Sequence, residues 1–170
     1  MPKQVFLWAL IASGLGTLAF TLFFLLIYAL YQNPFLPGPK SLDFFIYLLA
    51  VLGGLLWFRF GLRQGQMRFG EGFLLSLITV GGMALLSALF IYVFLVYIDS
   101  SVLSRNNAFM IEMLDKNKTA HLETMSQEVF TKIKQDLSQT SAAQMAFYEL
   151  RVKLLIGLVM SVILSAVLRR

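Results

Sequence analysis

The sequence predicts an all-α protein: a four-helix transmembrane bundle with a helical extracytoplasmic insert between the third and fourth spans. Three observations carry that prediction. The 170 residues are 58% hydrophobic and only 14% charged, and the mean hydropathy is +0.76, whereas a soluble domain is nearer half apolar and a quarter charged. Four stretches, residues 5–31, 44–62, 73–98 and 150–168, are apolar enough to be spans, for which about 20 residues at 1.5 Å rise suffice. Between the last two lies a segment of a different kind, residues 99–149, polar and rich in both signs of charge; counted on to Lys153, seven acids and seven bases balance. The chain reads as one polytopic membrane domain with that insert. It has no cysteine, which removes disulfides and thiolate metal sites from consideration.

The first span follows Lys3 and is nearly twice as long as a signal-peptide core, with no small-x-small cleavage site after Tyr31, so it reads as an uncleaved anchor. Ala9, Ser13 and Thr17 recur every four residues, with Ala12 and Gly16 beside them. Small residues at that spacing let another helix approach closely where lipid supplies no hydrophobic drive. Pro34, Pro37 and Pro39 then mark a tight link, because proline ends helices and biases its predecessor toward extended backbone. Ser41 or Asp43 is positioned to cap the second span, which carries Ala50 and Gly54 in small-xxx-small spacing.

The second span runs into a basic loop, Arg59-Phe-Gly-Leu-Arg-Gln-Gly-Gln-Met-Arg-Phe-Gly-Glu-Gly72. Arg59 and Arg63 are four apart and share a helical face from which both can snorkel to headgroups. Arg59, Arg63 and Arg68 together read either as a site for anionic lipid headgroups or an acidic partner, or simply as a topology signal. Glu71 stands at the start of the third span, where a carboxylate complements the helix dipole. Gly81, Ala84 and Ala88 form that span's packing face.

In the insert, Met110, Met113, Leu122, Met125, Val129 and Ile133 fall at intervals typical of amphipathic helix. Asn117-Lys-Thr119 interrupts the pattern, which gives two short helices. Their apolar face reads equally as a partner surface, rich in adaptable methionine, and as a face lying on lipid. Ser141-Ala-Ala-Gln144 has capping-box spacing. A helix from 142 to 168 would measure about 40 Å, about 10 Å more than a hydrocarbon core, so its first three turns, with Glu149, Arg151 and Lys153, are expected outside the bilayer. Gly157, Ser161 and Ser165 form the packing stripe of its buried part.

Charge sets orientation. With four alternating spans, Lys3, Arg59, Arg63, Arg68, Arg169 and Arg170 share one side with Glu71, and that side holds the entire net charge of +5. The positive-inside rule makes it cytoplasmic, with both termini, and puts the insert outside.

Met67-Arg-Phe-Gly-Glu-Gly-Phe73 leading into a Gly-rich span, then a polar helical stretch, then a short last span ending in Arg169-Arg170, resembles a family of small Bacteroidota-type integral-membrane proteins characterised only as a domain of unknown function. The resemblance covers most of the chain in layout. It implies a bacterial inner (cytoplasmic) membrane, with the periplasm on the outer side, and no activity to carry over.

The sequence nominates no catalytic, cofactor or metal residues. His121 is the sole histidine, whereas a metal site takes three or four ligands. Asp43, Glu71 and Asp99 sit at span ends, not at mid-membrane where ionisable groups mark ion or proton paths. The arginines and lysines belong to a membrane surface, where anionic lipids account for them without nucleic acid. The expectation is therefore a non-enzymatic, cofactor-free protein with membrane lipids for neighbours. It would be an accessory or interaction subunit of a larger membrane assembly, bound to another membrane protein. The alternative is a small transporter or channel made by self-association.

Overall fold

A computed structural model describes residues 2–169; Arg170, one of the charges used for orientation, lies outside them. Among the described residues the chain is helical throughout. Its helices are α1 (Pro2–Tyr31), α2 (Pro37–Lys40), α3 (Asp43–Leu56), α4 (Phe69–Val93), α5 (Ser101–Lys116), α6 (Lys118–Thr124), α7 (Gln127–Ser138) and α8 (Ala142–Leu168). Two π-helical segments, Trp57–Leu62 and Phe94–Ile98, prolong α3 and α4. Four helical runs, Lys3–Tyr31, Pro37–Leu62, Phe69–Ile98 and Ala142–Val167, are long and apolar enough to cross a membrane.

The long helices pack around α4. Half of its most apolar window is buried, against 22–28% in the other three, and α1, α3 and α8 all contact it. Two hydrophobic layers fill the bundle. One contains Phe20, Phe24, Phe35, Tyr47, Ile91 and Phe94 toward the insert; the other contains Val5, Val51, Leu55, Phe58, Met67 and Leu75 at the opposite end. Small residues hold the waist between them. A Cβ on Gly54 would lie 3.1 Å from that of Ala12, and one on Gly82 would collide with Ser13. A Cβ on Gly157 would run into Val80. The buried hydroxyls of Ser76, Thr79, Ser87 and Ser161 donate to carbonyls one turn back, so each is satisfied within its own helix as an apolar surrounding demands.

The link after α1 is drawn inward. Asn33 Oδ1 accepts from the Phe35 amide at 3.1 Å, and this turn delivers the Phe35 ring edge-on to Phe24. The expected cap on the second span is absent: Leu42 precedes the helix with no side-chain hydrogen bond, because Asp43 lies inside the first turn and faces Lys153. At the other end of α3, Gly65 has φ +87°, a left-handed conformation suited to glycine. Its N–H reaches the Arg59 carbonyl at 2.9 Å to close the π-helical turn.

The insert forms three helices rather than the two expected. A second break falls at Met125, whose backbone is extended, because Ser126 caps α7 by accepting from the Val129 amide. The Ser141–Gln144 capping box opens α8 at Ala142.

Candidate functional site

A gap lies between the N-terminal parts of α3 and α8, and α5 and α7 roof it. The result is a cleft of about 1110 Å³. Its bundle side is apolar, with Phe44, Val152, Ile156 and Met160, and its roof is polar, with Asn106, Asn107, Gln139, Thr140 and Gln144. Asn107 holds the roof together by donating to the Thr140 carbonyl at 3.3 Å.

Four ionisable side chains form one wall. Lys40 pairs with Glu149. Lys153 Nζ lies 3.6 Å from Glu149 Oε2 and 3.8 Å from Asp43 Oδ2. Glu149 is 2% and Lys153 8% exposed, so these are interior charges, whose desolvation must be offset by partners. The Lys153 ammonium rests 3.7 Å from the centroid of Phe20 and 5.3 Å from that of Tyr47, a cation–π seat strengthened by the absence of water. Tyr47 shares a 2.9 Å hydrogen bond with Ser87 on α4. Nζ nonetheless has no hydrogen-bond acceptor of its own.

Glu149 and Lys153, in the first three turns of α8 expected outside the bilayer, are buried against α3 and α1, where carboxylate and ring partners meet them. Arg151, on the opposite face, is exposed and reaches over the Phe147 ring.

The basic loop is largely committed to its own structure. Arg59 Nε donates to the Gly65 carbonyl at 2.9 Å, and Arg63 pairs with Glu71. Glu71 also accepts from the Arg68 amide at 3.2 Å at the start of α4. Arg68 is exposed and lines a shallow pocket with Phe69 and Arg169. The apolar positions of the insert divide. Met110 and Ile133 line the cleft, Met113 and Val129 are exposed, and Leu122 and Met125 are half-buried. The insert's own core is Phe130, 3% exposed, beside His121. Of the small residues read as packing positions, Ala84, Ala88, Gly157, Ser161 and Ser165 are buried and Gly54 half-buried. Gly81 is the exception: a Cβ there would meet nothing within 4 Å, and the close approach on α4 belongs to Gly82.

A second polar junction ties the insert to the bundle. Asp99 accepts from Tyr28 at 2.8 Å, from the Ser101 amide at 2.9 Å and from Arg105 at 2.9 Å. The bonds from Ser101 and Tyr28, ahead of that from Arg105, hold its carboxyl well below the usual carboxylate range. Among the described residues no three His, Asp or Glu side chains are grouped to hold a metal ion.

Four apolar helices of spanning length, a charged cluster buried between two of them and a helical roof define a small multi-pass membrane protein. The chain belongs to the family described as Protein of unknown function (DUF4199), which it matches over residues 7–170. No curated protein and no solved structure matches it.

Proposed function

We propose that the protein is an accessory or interaction subunit of a larger assembly in a bacterial inner membrane, engaging its partner through α5–α7. The carrying observation is how the insert is built. Its helices pack mainly on one another and touch the bundle chiefly at the base of α5. Phe130 is their core, and Lys134 clasps Asp115 across α5 and α7 at 2.6 Å. A unit that stands on its own core and still leaves Met113 and Val129 exposed offers another membrane protein an adaptable apolar contact. The charge asymmetry supports a periplasmic insert with both termini cytoplasmic. The Bacteroidota-type layout fits that membrane.

A photoreactive residue at position 113 should cross-link a stoichiometric larger partner in native membranes, and the Met113→Ser/Val129→Ser variant should lose it. Undiminished capture by that variant would refute the partner surface. Orientation is tested separately, since the chain has no cysteine of its own. Ala120→Cys should react with a membrane-impermeant thiol reagent from the periplasm and Gln66→Cys should not; the reverse pattern overturns the topology.

A second reading, a small transporter or channel formed by self-association, is favoured by the ionisable cluster within the bundle, since such groups mark transport paths. The outward Gly14, Gly53 and Gly81, around which nothing lies within 4 Å, would admit neighbouring copies. A symmetric homo-oligomer in mild detergent, with no larger partner, would select this reading.

A further inference from the structure

We propose that the outer cleft is a lipid site, taking one zwitterionic phospholipid whose head carries a primary ammonium. The phosphate would sit on Lys153, the ammonium among the neighbouring carboxylates, and an acyl chain against the apolar bundle side. This goes beyond the partner surface, which rests on Met113 and Val129, neither of them in the cleft lining.

Three features argue for it. Lys153 lines the cleft and is nine-tenths buried, and its ammonium, packed on the Phe20 ring, hydrogen-bonds to nothing. Its two carboxylate neighbours stop at 3.6 and 3.8 Å, beyond hydrogen-bond range. A buried donor left unmade is expensive, and a phosphate oxygen supplied by a ligand would satisfy it with a charge-assisted bond. Second, the polarity of the cleft runs the way an amphiphile's does. Amide and hydroxyl side chains lie under the insert, and Val152, Ile156 and Met160 lie toward the bundle's middle. Phe44 and Ile156, on the spans, stay 41% and 43% exposed, so the cleft opens sideways, where lipid would be. At about 1110 Å³ it exceeds the usual 300–1,000 Å³ of a drug-sized pocket, enough for a headgroup and the upper part of a chain.

The third feature is charge, which selects the head. The lining holds Lys40 and Lys153 against Asp43, Asp136 and Glu149, a net of −1. An anionic head would add to an existing excess of negative charge. A phosphate with an attached ammonium leaves the balance unchanged and gives the carboxylates a hydrogen-bond donor. A quaternary ammonium has no N–H to give, so the primary amine is the better fit.

The test uses the whole chain purified in mild detergent. Phosphatidylethanolamine, phosphatidylcholine and phosphatidylglycerol with identical chains are titrated in, and retention is read by native mass spectrometry. One phosphatidylethanolamine per chain should be retained about tenfold more tightly than either of the others, the order of effect of one charge-assisted hydrogen bond. Lys153→Met should weaken it about tenfold or more. Ile156→Trp, which fills the cleft from an exposed rim position and leaves the ion cluster intact, should do the same in a fully folded protein. Equal retention of the three lipids, a preference for phosphatidylglycerol, or wild-type retention by Ile156→Trp would each overturn the proposal. So would a partner polypeptide found cross-linked within the cleft from position 156.

Discussion

Removing Glu149 should be far more damaging than its place near the end of an apolar helix suggests. Its carboxylate answers two cations, Lys40 and Lys153 at 3.6 Å, and its side chain is 3% exposed. Truncation to alanine leaves Lys153 buried with only Asp43 at 3.8 Å. Charges about 4 Å apart interact by about 4 kcal/mol at an effective dielectric of ~20, and breaking a buried pair by deleting one partner typically costs about 3–5 kcal/mol. At about 2–4 °C per kcal/mol for a chain of this size, Glu149→Ala should lower the unfolding midpoint in mild detergent by roughly 6–20 °C. The diagnostic measurement is the double variant. Lys153→Met keeps an apolar stem over Phe20 and removes the stranded cation, so Glu149→Ala/Lys153→Met should recover at least about 1–2 kcal/mol over Glu149→Ala alone, a coupling expected only of groups in contact. A Glu149→Ala midpoint within about 0.5 kcal/mol of wild type, the range of surface substitutions, would mean that the cluster is solvated. Strict additivity of the two single variants would say the same.

Two further outcomes test the packing and the junction. Gly157→Ala puts a Cβ into Val80; overpacking of about 1–3 kcal/mol should outweigh the roughly 1 kcal/mol gained in helix propensity, whereas Gly81→Ala, with open space around it, should be neutral or stabilising. Thermal midpoints shifting in the same direction for both would refute the assignment of the close contact. Asp99, with its carboxyl held below the ordinary range, contributes stability that is fully present above the unfolded value of about 4 and lost only as pH falls through the lower folded one. Unfolding midpoints should therefore feel no loss from this group between pH 7 and 5, and Asp99→Asn should remove part of the decline below pH 4; an identical acid limb in the variant would refute the role of the junction.

Much of the fold could be read from the chain. Span length and apolarity, the prolines after Tyr31 and the capping box at Ser141 are local properties, and each specifies its element without knowledge of its neighbours. The third helix of the insert left a local trace, Ser126 as a cap ahead of Glu128 in the first turn, but Met125 and Val129 keep helical spacing across the break, so periodicity concealed it. Gly81 and Gly82 show the limit of such reading. Both belong to a small-residue patch, and only the direction of α1, with Ser13 opposite Gly82, decides which one a neighbouring helix touches.

The cleft was hidden because its residues fall under two opposing rules. Glu149, Lys153, Gly157, Ser161 and Ser165 recur every four residues along α8, one continuous row that packs on its neighbours along its whole length. Charge argues for water and small size argues for contact, so the row divides between Lys153 and Gly157 when each residue is judged by type. Its upper members are buried because of what stands across from them: Asp43 inside the first turn of α3, Lys40 on the proline-rich link, and the Phe20 ring on α1. Those three are 110, 113 and 133 residues away from Lys153 in the chain, and no local pattern relates them. The row itself was the available signal. A period-four stripe that begins with a Glu–Lys pair inside an apolar helix asks for partners before it asks for solvent, since a membrane-proximal charge is retained where protein can answer it.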